Sequence, residues 1–375
     1  MGSVVQLKKT INNSYSDLLK SVEDKLILVN EKISSKLSSK VDLIQNMTDY
    51  HLDTGGKNLR ALLTLSSSKL CGYSKGGRDI NLAACVELIH AATLMHDDVI
   101  DNALVRRNKE TLNTIWGNKS SILVGDYLLS RCFEMMVEDG SLEILKLLSS
   151  TSSEIAQGEV LQLQHHVEID MLEETYLKII SLKTAALFSA STKVGAILAN
   201  RDNKYKEALE FYGKNLGLTF QIADDALDYN SELKLFGKKI GNDFYEGKIT
   251  LPVILLLKKA SINEIRFTKK IFNKSKRSKS EYIELMKLME KYKIKDDVKN
   301  FSQKYNSQSL KILTSFKGYQ KELFVDLLSS SINRTHESYL NFLFGNLLLF
   351  TSLEYLFTAS LMFFDKSAYF FTNLG

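Results

Sequence analysis

The sequence predicts an all-α fold, on three observations. Apolar residues recur at three- and four-residue spacing, with little sustained alternation of period two. A single proline, Pro252, interrupts 375 residues, so long stretches carry no strong helix breaker. The 19 glycines fall mainly at the ends of apolar-periodic runs, where helices stop. In order, the chain opens with amphipathic helices up to about residue 50, with breaks near Asn30 and Ser38. The loop DTGGKNLR then starts the helix ALLTLSSSKLCGY. Further helices are expected over about 80–101, 119–138, 141–164, 173–199, 204–231 and 249–260. Periodicity resumes from Ser280 to about Thr335 with more exposed charge. No solenoid period and no interdomain linker intervenes, so the chain reads as one domain over residues 1–335 and a hydrophobic tail over 336–375.

Composition narrows the function classes. The net charge of +5 is mild. Basic residues crowd between Lys258 and Lys279 (KKASINEIRFTKKIFNKSKRSK), but without aromatic interleaving or a nucleic-acid motif. A solvated loop or helix pair is the simpler reading, and no nucleic-acid partner is expected. Cys71, Cys85 and Cys132 lie in apolar helical surroundings without metal-ligand spacing, as reduced thiols of a cytoplasmic protein would. The N-terminus lacks an apolar signal run, and Gln6 stands where a myristoylation signal needs Ser or Thr. In the tail, YLNFLFGNLLLFTSLEYLFTASLMFF carries one charged group, Glu354, before Asp365. It is long enough to span a bilayer, but Asn341, Asn346, Ser352 and Glu354 favour peripheral packing or interfacial membrane contact over a span.

Two aspartate clusters, DDVID at Asp97–Asp101 and DDALD at Asp224–Asp228, carry the chemistry. Each puts carboxylates at i, i+1 and i+4, so Asp97 stacks with Asp101 on one helix face, and Asp224 with Asp228. A lone acidic triplet is usually solvated surface. Here LAACVELIHAATLMH precedes the first and NLGLTFQIA the second, both too apolar for exposed helices. Burying a like-charged pair twice costs stability unless cations are shared. Hard Mg²⁺ suits such faces, because it takes a few carboxylates and fills its remaining positions with water and phosphate oxygens. Cationic candidates accompany them. Lys57 and Arg60 stand at a loop-to-helix start behind Gly55 and Gly56, where close backbone approach and a helix N-terminus favour an anion. Arg106 and Arg107 follow the first cluster by about two helical turns. Lys183 with Thr184, and Lys238, add donors. The set describes a site for two diphosphates, one held through metals and one gripped directly by Arg and Lys.

HDDVID, RRNKETLN, VGDYLLSR, AQGEVLQLQ, LKTAALF, FQIADDALDY and GKKIGNDFYEGKITLPVILLL occur in the order found in trans-polyprenyl diphosphate synthases. The chain resembles that family over roughly residues 20–335, and most the bacterial octaprenyl branch, whose IHTATLLHDD is close to IHAATLMHDD here. The resemblance implies an isoprenoid-synthase-type helical bundle around a central cavity, a homodimer, and Mg²⁺, two or three ions per site. It implies condensation of isopentenyl diphosphate onto an allylic diphosphate such as farnesyl diphosphate, towards a quinone side chain. By motif, Asp97, Asp101 and Asp224 would ligate Mg²⁺, with Asp98, Asp225 and Asp228 in support. Arg106 and Lys238 would contact the allylic diphosphate. Lys57, Arg60, His90 and Arg107 would hold isopentenyl diphosphate, and Lys183, Thr184 and Gln221 would stabilise the allylic cation.

Three stretches depart from the family pattern: GGKRxRP is Gly55–Ala61 here without one Arg and the Pro, GKPxG is Gly237–Gly241, and RRGxPT is Arg106–Thr111. None removes a principal charged ligand. A terpene cyclase would share DDxxD but usually carries a mixed second metal motif. An HD-type phosphohydrolase would need more ligand histidines than His96, with His51 and His90 poorly placed. A non-catalytic subunit would be expected to lose carboxylates, and all six are present. Product length is read beneath the first motif. Short-chain members carry bulky aromatics four and five residues before the first Asp, where this chain has the small Thr93 and Ala92. Larger residues on the next helix, Met136 and with less support Phe133, would then close the cavity, giving a product near C40. Geranylgeranyl- or farnesyl-length products are the alternative.

Overall fold

The computed structural model describes residues 15–56, 58–107, 109–166, 168–229 and 241–332. Helices Glu23–Leu37, Asp42–Asp53 and Leu59–Leu70 lead to the first aspartate helix, Arg78–Ile100. A hairpin of two short strands, Val105–Arg106 and Lys109–Glu110, precedes Leu112–Trp116, Asn118–Asp139 and Leu142–Gln164. Glu173–Ile180 and Ala186–Leu198 are joined through a π-helical turn, Ser181–Ala185, ahead of the second aspartate helix, Asn203–Leu227. An outer layer follows: Asn242–Glu246, Leu251–Lys259, Ile262–Phe272, Lys279–Lys291, Ile294–Leu313 and Tyr319–Ile332. The all-α expectation holds.

Burial explains the arrangement. In Ala186–Leu198 every residue but Lys193 is buried, and this helix packs against Leu59–Leu70, Leu142–Gln164 and the second aspartate helix. Such an all-round apolar helix can only be central. The serines of SSSKL in Leu59–Leu70 are buried too, and Ser67 and Ser68 return their hydroxyls to the Thr64 carbonyl at 3.1 and 2.7 Å. Leu62, Ile89, Met95, Phe188 and Tyr212 share one core cluster. Phe244, Leu251, Tyr282 and Leu285 anchor a second, between the outer layer and the second aspartate helix.

Cross-helix hydrogen bonds set two registers that matter for function. Ser121 reaches the Met95 carbonyl (3.2 Å), Cys132 that of Cys85 (3.4 Å), and the Met135 carbonyl accepts from Asn81 (3.2 Å). Asn118–Asp139 is therefore antiparallel to the first aspartate helix. Tyr212 donates to the Phe324 carbonyl, while Asn306 bonds both Thr219 and the Leu328 carbonyl. Tyr319–Ile332 therefore runs parallel to the second aspartate helix, towards its aspartates.

Several boundaries differ from expectation. Asn30 does not break its helix: Leu26, Val29, Ile33 and Leu37 bury one stripe, and Asn30 accepts from Asn58 at 2.7 Å. Packing overrides a weak helix former. The expected break near Ser38 is present. Within the basic stretch, Ile262–Phe272 is a helix started by a Ser261–Glu264 capping box. The three cysteines are free and buried, and burial pushes the Cys71 thiol up to about 12. Among the described residues no helix is long and apolar enough to cross a membrane. The tail, with Lys57 and Lys238, lies outside the described residues.

Candidate active site

The first aspartate helix ends at Ile100, and Asp101 is its C-cap in helical conformation (φ −80°, ψ −3°). The stacking of Asp97 over Asp101 survives to the last turn. Asp97 Oδ1 is buried without a partner, while Oδ2 lies 3.7 Å from the Lys183 ammonium. Burial raises the Asp97 carboxyl above the usual range, against Lys183, with Asp101 adding repulsion. Lys183 is shared with Glu159 (2.7 Å), whose carboxyl is pushed up to about 7 by burial and by Asp97. Asp98 points to another side, about 100° round the helix. It is buried and takes both Nε (2.8 Å) and Nη2 (2.7 Å) of Arg106.

Lys183 and Thr184 sit in the π-helical turn, a bulge of the kind often found at functional sites. Thr184 donates to Gln221 Oε1 (2.9 Å), and Gln221 Nε2 donates to Asp225 Oδ1 (2.8 Å). Asp225 Oδ2 receives the Tyr176 hydroxyl at 2.7 Å. Burial, with Asp243 nearby, pushes the Asp225 carboxyl up to about 7. Asp228 accepts from the backbone N–H of Gly241 (3.2 Å) and Asp243 (2.6 Å). Burial and Asp243 lift it to about 6. Lys248 joins the two motifs. Burial opposes its charge, yet Asp243, Asp225, Asp101 and Glu246 together hold it above the ordinary lysine range.

The turn has a specific requirement. A Cβ on Gly158 would lie 2.6 Å from the Lys183 backbone N, so Gly158→Ala must displace the bulge. We expect kcat to fall by about 10- to 100-fold, since small misplacements of catalytic groups carry such losses. Steady-state assay of this variant with an unchanged kcat would reject the role of the turn.

The second basic group forms near Gly56 and Asn58. Arg60 lies 4.8 Å from the Phe188 ring centroid; burial lowers its guanidinium to about 10 against the support of Glu87 and Asp224. Burial raises Glu87, which also accepts from the Ala61 N–H at 2.9 Å. Burial and the surrounding Arg60, Arg107 and Arg106 keep His90 well below the usual histidine range. Burial and Arg107 lower His51 to about 4. Arg106 and Arg107 are in the hairpin rather than on a continued helix, and Arg107 takes φ +52°, which lays it beside Gly56.

Ala92 is fully buried, and half-buried Thr93 returns its hydroxyl to the His90 carbonyl at 2.8 Å. Met136 is buried in the same core cluster as Ala92. By the antiparallel register it stands level with residue 81, about three turns below Ala92. Phe133 is 43% exposed, on the outer face of its helix, so within this chain it does not close an interior cavity. Sequence reasoning missed Lys248, Asp243, Glu159, Tyr176, Glu87 and His51. An acidic residue inside AQGEVLQL and a lysine inside the buried run EGKITLP were the available signals.

Among the described residues, no three His, Cys, Asp or Glu side chains converge enough to hold a metal by themselves. The partnerless Asp97 oxygen and an all-oxygen donor set on two opposed faces suit Mg²⁺, whose shell is completed by phosphate and water.

The polyprenyl synthetase family model matches residues 41–289. Octaprenyl diphosphate synthase of Escherichia coli K12 is 42% identical over 226 residues, covering 60% of this chain and 70% of that protein. All-trans-nonaprenyl-diphosphate synthase of Rhodobacter capsulatus is 40% identical over 238 residues, 64% of this chain and 73% of that one. Among solved structures, a decaprenyl diphosphate synthase from Rhodobacter capsulatus superposes with a TM-score of 0.81 at 36% identity, covering 86% of this chain and 99% of its own. A polyprenyl synthase from Caulobacter crescentus, complexed with calcium and isoprenyl diphosphate, gives 0.80 at 36% identity, over 85% and 97%. With the family match spanning most of the chain and the two aspartate motifs in place, this protein belongs to the polyprenyl synthetase family of prenyltransferases.

Proposed function

We propose that the chain is a long-chain all-trans polyprenyl diphosphate synthase, extending farnesyl diphosphate with isopentenyl diphosphate to a product near C40 for a quinone side chain. The observation that carries the chain length is small, buried Ala92 beneath Asp97, with the next bulky candidate about three turns deeper. Asp97, Asp101 and Asp224 hold two or three Mg²⁺ ions, with Asp98, Asp225 and Asp228 in support. Bound magnesium withdraws charge from the leaving diphosphate. Lys183, Lys248, Arg106 and Lys238 neutralise that diphosphate, and the Thr184 carbonyl and Gln221 face the developing allylic cation. Lys57, Arg60, His90 and Arg107 hold isopentenyl diphosphate so that its double bond meets the cation. The proton lost on C–C bond formation leaves to the departed diphosphate. Pyrophosphate release that needs isopentenyl diphosphate, with a linear product, separates this from terpene cyclisation.

Arg107→Lys keeps the charge but loses the planar fork. Isopentenyl diphosphate binding should weaken by about 1–3 kcal/mol, read as a higher KM for that substrate alone. An unaltered KM would remove Arg107 from the site.

Two partners belong to this reading. Leu123, Phe133 and Val137, all exposed, line one face of Asn118–Asp139, and exposed Leu142 and Val160 continue it on the next helix. A second copy of the chain covers this face as a homodimer. A lipid surface is the partner of the apolar stretch 339–364. Its support is that the stretch carries one charged group, Glu354, before Asp365, and that a long polyprenyl product is itself lipophilic.

A further inference from the structure

We propose that Arg277, with Tyr282, is a positioning residue that braces the short helix Asn242–Glu246 and the end of the second aspartate motif. Arg277 stands near the end of the basic stretch that reads from sequence as solvated charge. Most of that stretch is solvated: Lys258, Lys259, Lys269 and Lys274 pair with Glu173, Asp297, Asp170 and Glu281 at the surface. Arg277 instead binds two backbone carbonyls from a half-buried position. It donates through Nη1 to the Tyr245 carbonyl (3.1 Å) and through Nη2 to the Phe272 carbonyl, and its Nε is buried without a partner.

The carbonyl of Tyr245 belongs to Asn242–Glu246, a five-residue helix between Gly241 and Gly247, both left-handed (φ +87° and +81°). A helix this short is not stable by itself, so its position must be imposed from outside. Both hinges are covered by the same pair of side chains. A Cβ on Gly241 would lie 2.8 Å from the Tyr282 ring, and one on Gly247 would overlap the Arg277 guanidinium. Tyr282 also donates to the Asp228 carbonyl (3.1 Å) and stacks on Tyr245 (5.9 Å, 26°). The two side chains thus pin the last aspartate of the second motif and both ends of the helix that carries Asp243 and leads into Lys248. No atom of either need touch substrate.

The inference rests on reading Asp228, Asp243 and Lys248 as the allylic-diphosphate end. The test measures KM for farnesyl and isopentenyl diphosphates separately in the full chain, for Arg277→Met, Arg277→Lys, Tyr282→Phe and Lys248→Ala, with Tm for each. Arg277→Met should raise the farnesyl diphosphate KM about tenfold or more and leave the other within about twofold, since it frees two carbonyls at one end of the site. Arg277→Lys should recover part of the loss, because one ammonium cannot serve both carbonyls. Tyr282→Phe, which removes only a hydroxyl, should shift the same KM less. If Lys248→Ala raises the farnesyl diphosphate KM and the Arg277 and Tyr282 variants do not, the brace is wrong. Equal rises in both KM values that track Tm, without recovery by Lys, would also overturn it, as a merely structural role. If Lys248→Ala itself leaves that KM unchanged, the reading of the site fails, and the brace with it. Should Arg277→Met not fold, Arg277→Lys and Tyr282→Phe decide.

Discussion

Replacing Asp97 or Asp224 with alanine is expected to lower turnover by several orders of magnitude while the chain stays folded. Asp97 shows why both halves hold. Its Oδ1 is buried with no partner, so truncation removes only the 3.7 Å pairing of Oδ2 with Lys183 and the contact with Glu159. Lys183 keeps Glu159 at 2.7 Å after Asp97 is gone, and the repulsion from Asp101 is relieved. Catalysis has no such reserve, because the carboxylates and two substrate diphosphates repel one another unless divalent cations are held between them. Turnover and Tm measured on the same preparation separate the effects. Near-native turnover in either variant would sink the metal-site assignment, and collapse of Tm would show the motif to be structural.

Ala92→Phe should cut the product to about C15–C20, and Met136→Ala should lengthen it. Ala92 is fully buried just over one turn below Asp97, so a phenyl ring there has only the interior to occupy. One helical turn rises about 5.4 Å, close to one extended isoprene unit. The three turns between Ala92 and the level of Met136 therefore leave room for several further units. Chromatographic sizing of the products reads both variants. An unchanged distribution in Ala92→Phe would mean that the growing chain runs elsewhere, and Met136→Ala without longer products would place the floor on another residue.

The helices and the paired aspartates were legible because their signals are local. Carboxylates at i and i+4 share one helix face, and Asp101 keeps that geometry even as a C-cap. The face is less buried than the apolar runs imply: Asp101 is exposed, Asp97, Asp224 and Asp228 are half-buried, and only Asp98 and Asp225 are buried. What was not legible depends on contacts distant in sequence. Lys248 matters because Asp101, Asp225 and Asp243 converge on it, and nothing in EGKIT shows that convergence. The π-helical turn at Lys183 lies so close to another helix that only a glycine, Gly158, fits beside it, and periodicity reads straight through the turn. Phe133 and Met136 look alike as bulky residues three apart, yet one is exposed and the other buried. Which way each faces follows from the register with Met95, Cys85 and Asn81. The Ser261–Glu264 and Ser278–Glu281 capping boxes were local signals of helices in the basic stretch.

The most direct measurement incubates the purified full chain with farnesyl diphosphate, isopentenyl diphosphate and Mg²⁺, then sizes the dephosphorylated products and follows pyrophosphate. The account predicts pyrophosphate release only when isopentenyl diphosphate is present, and a linear all-trans product centred near C40. Release from farnesyl diphosphate alone, a cyclised product, or extension that stops by C20 would contradict it.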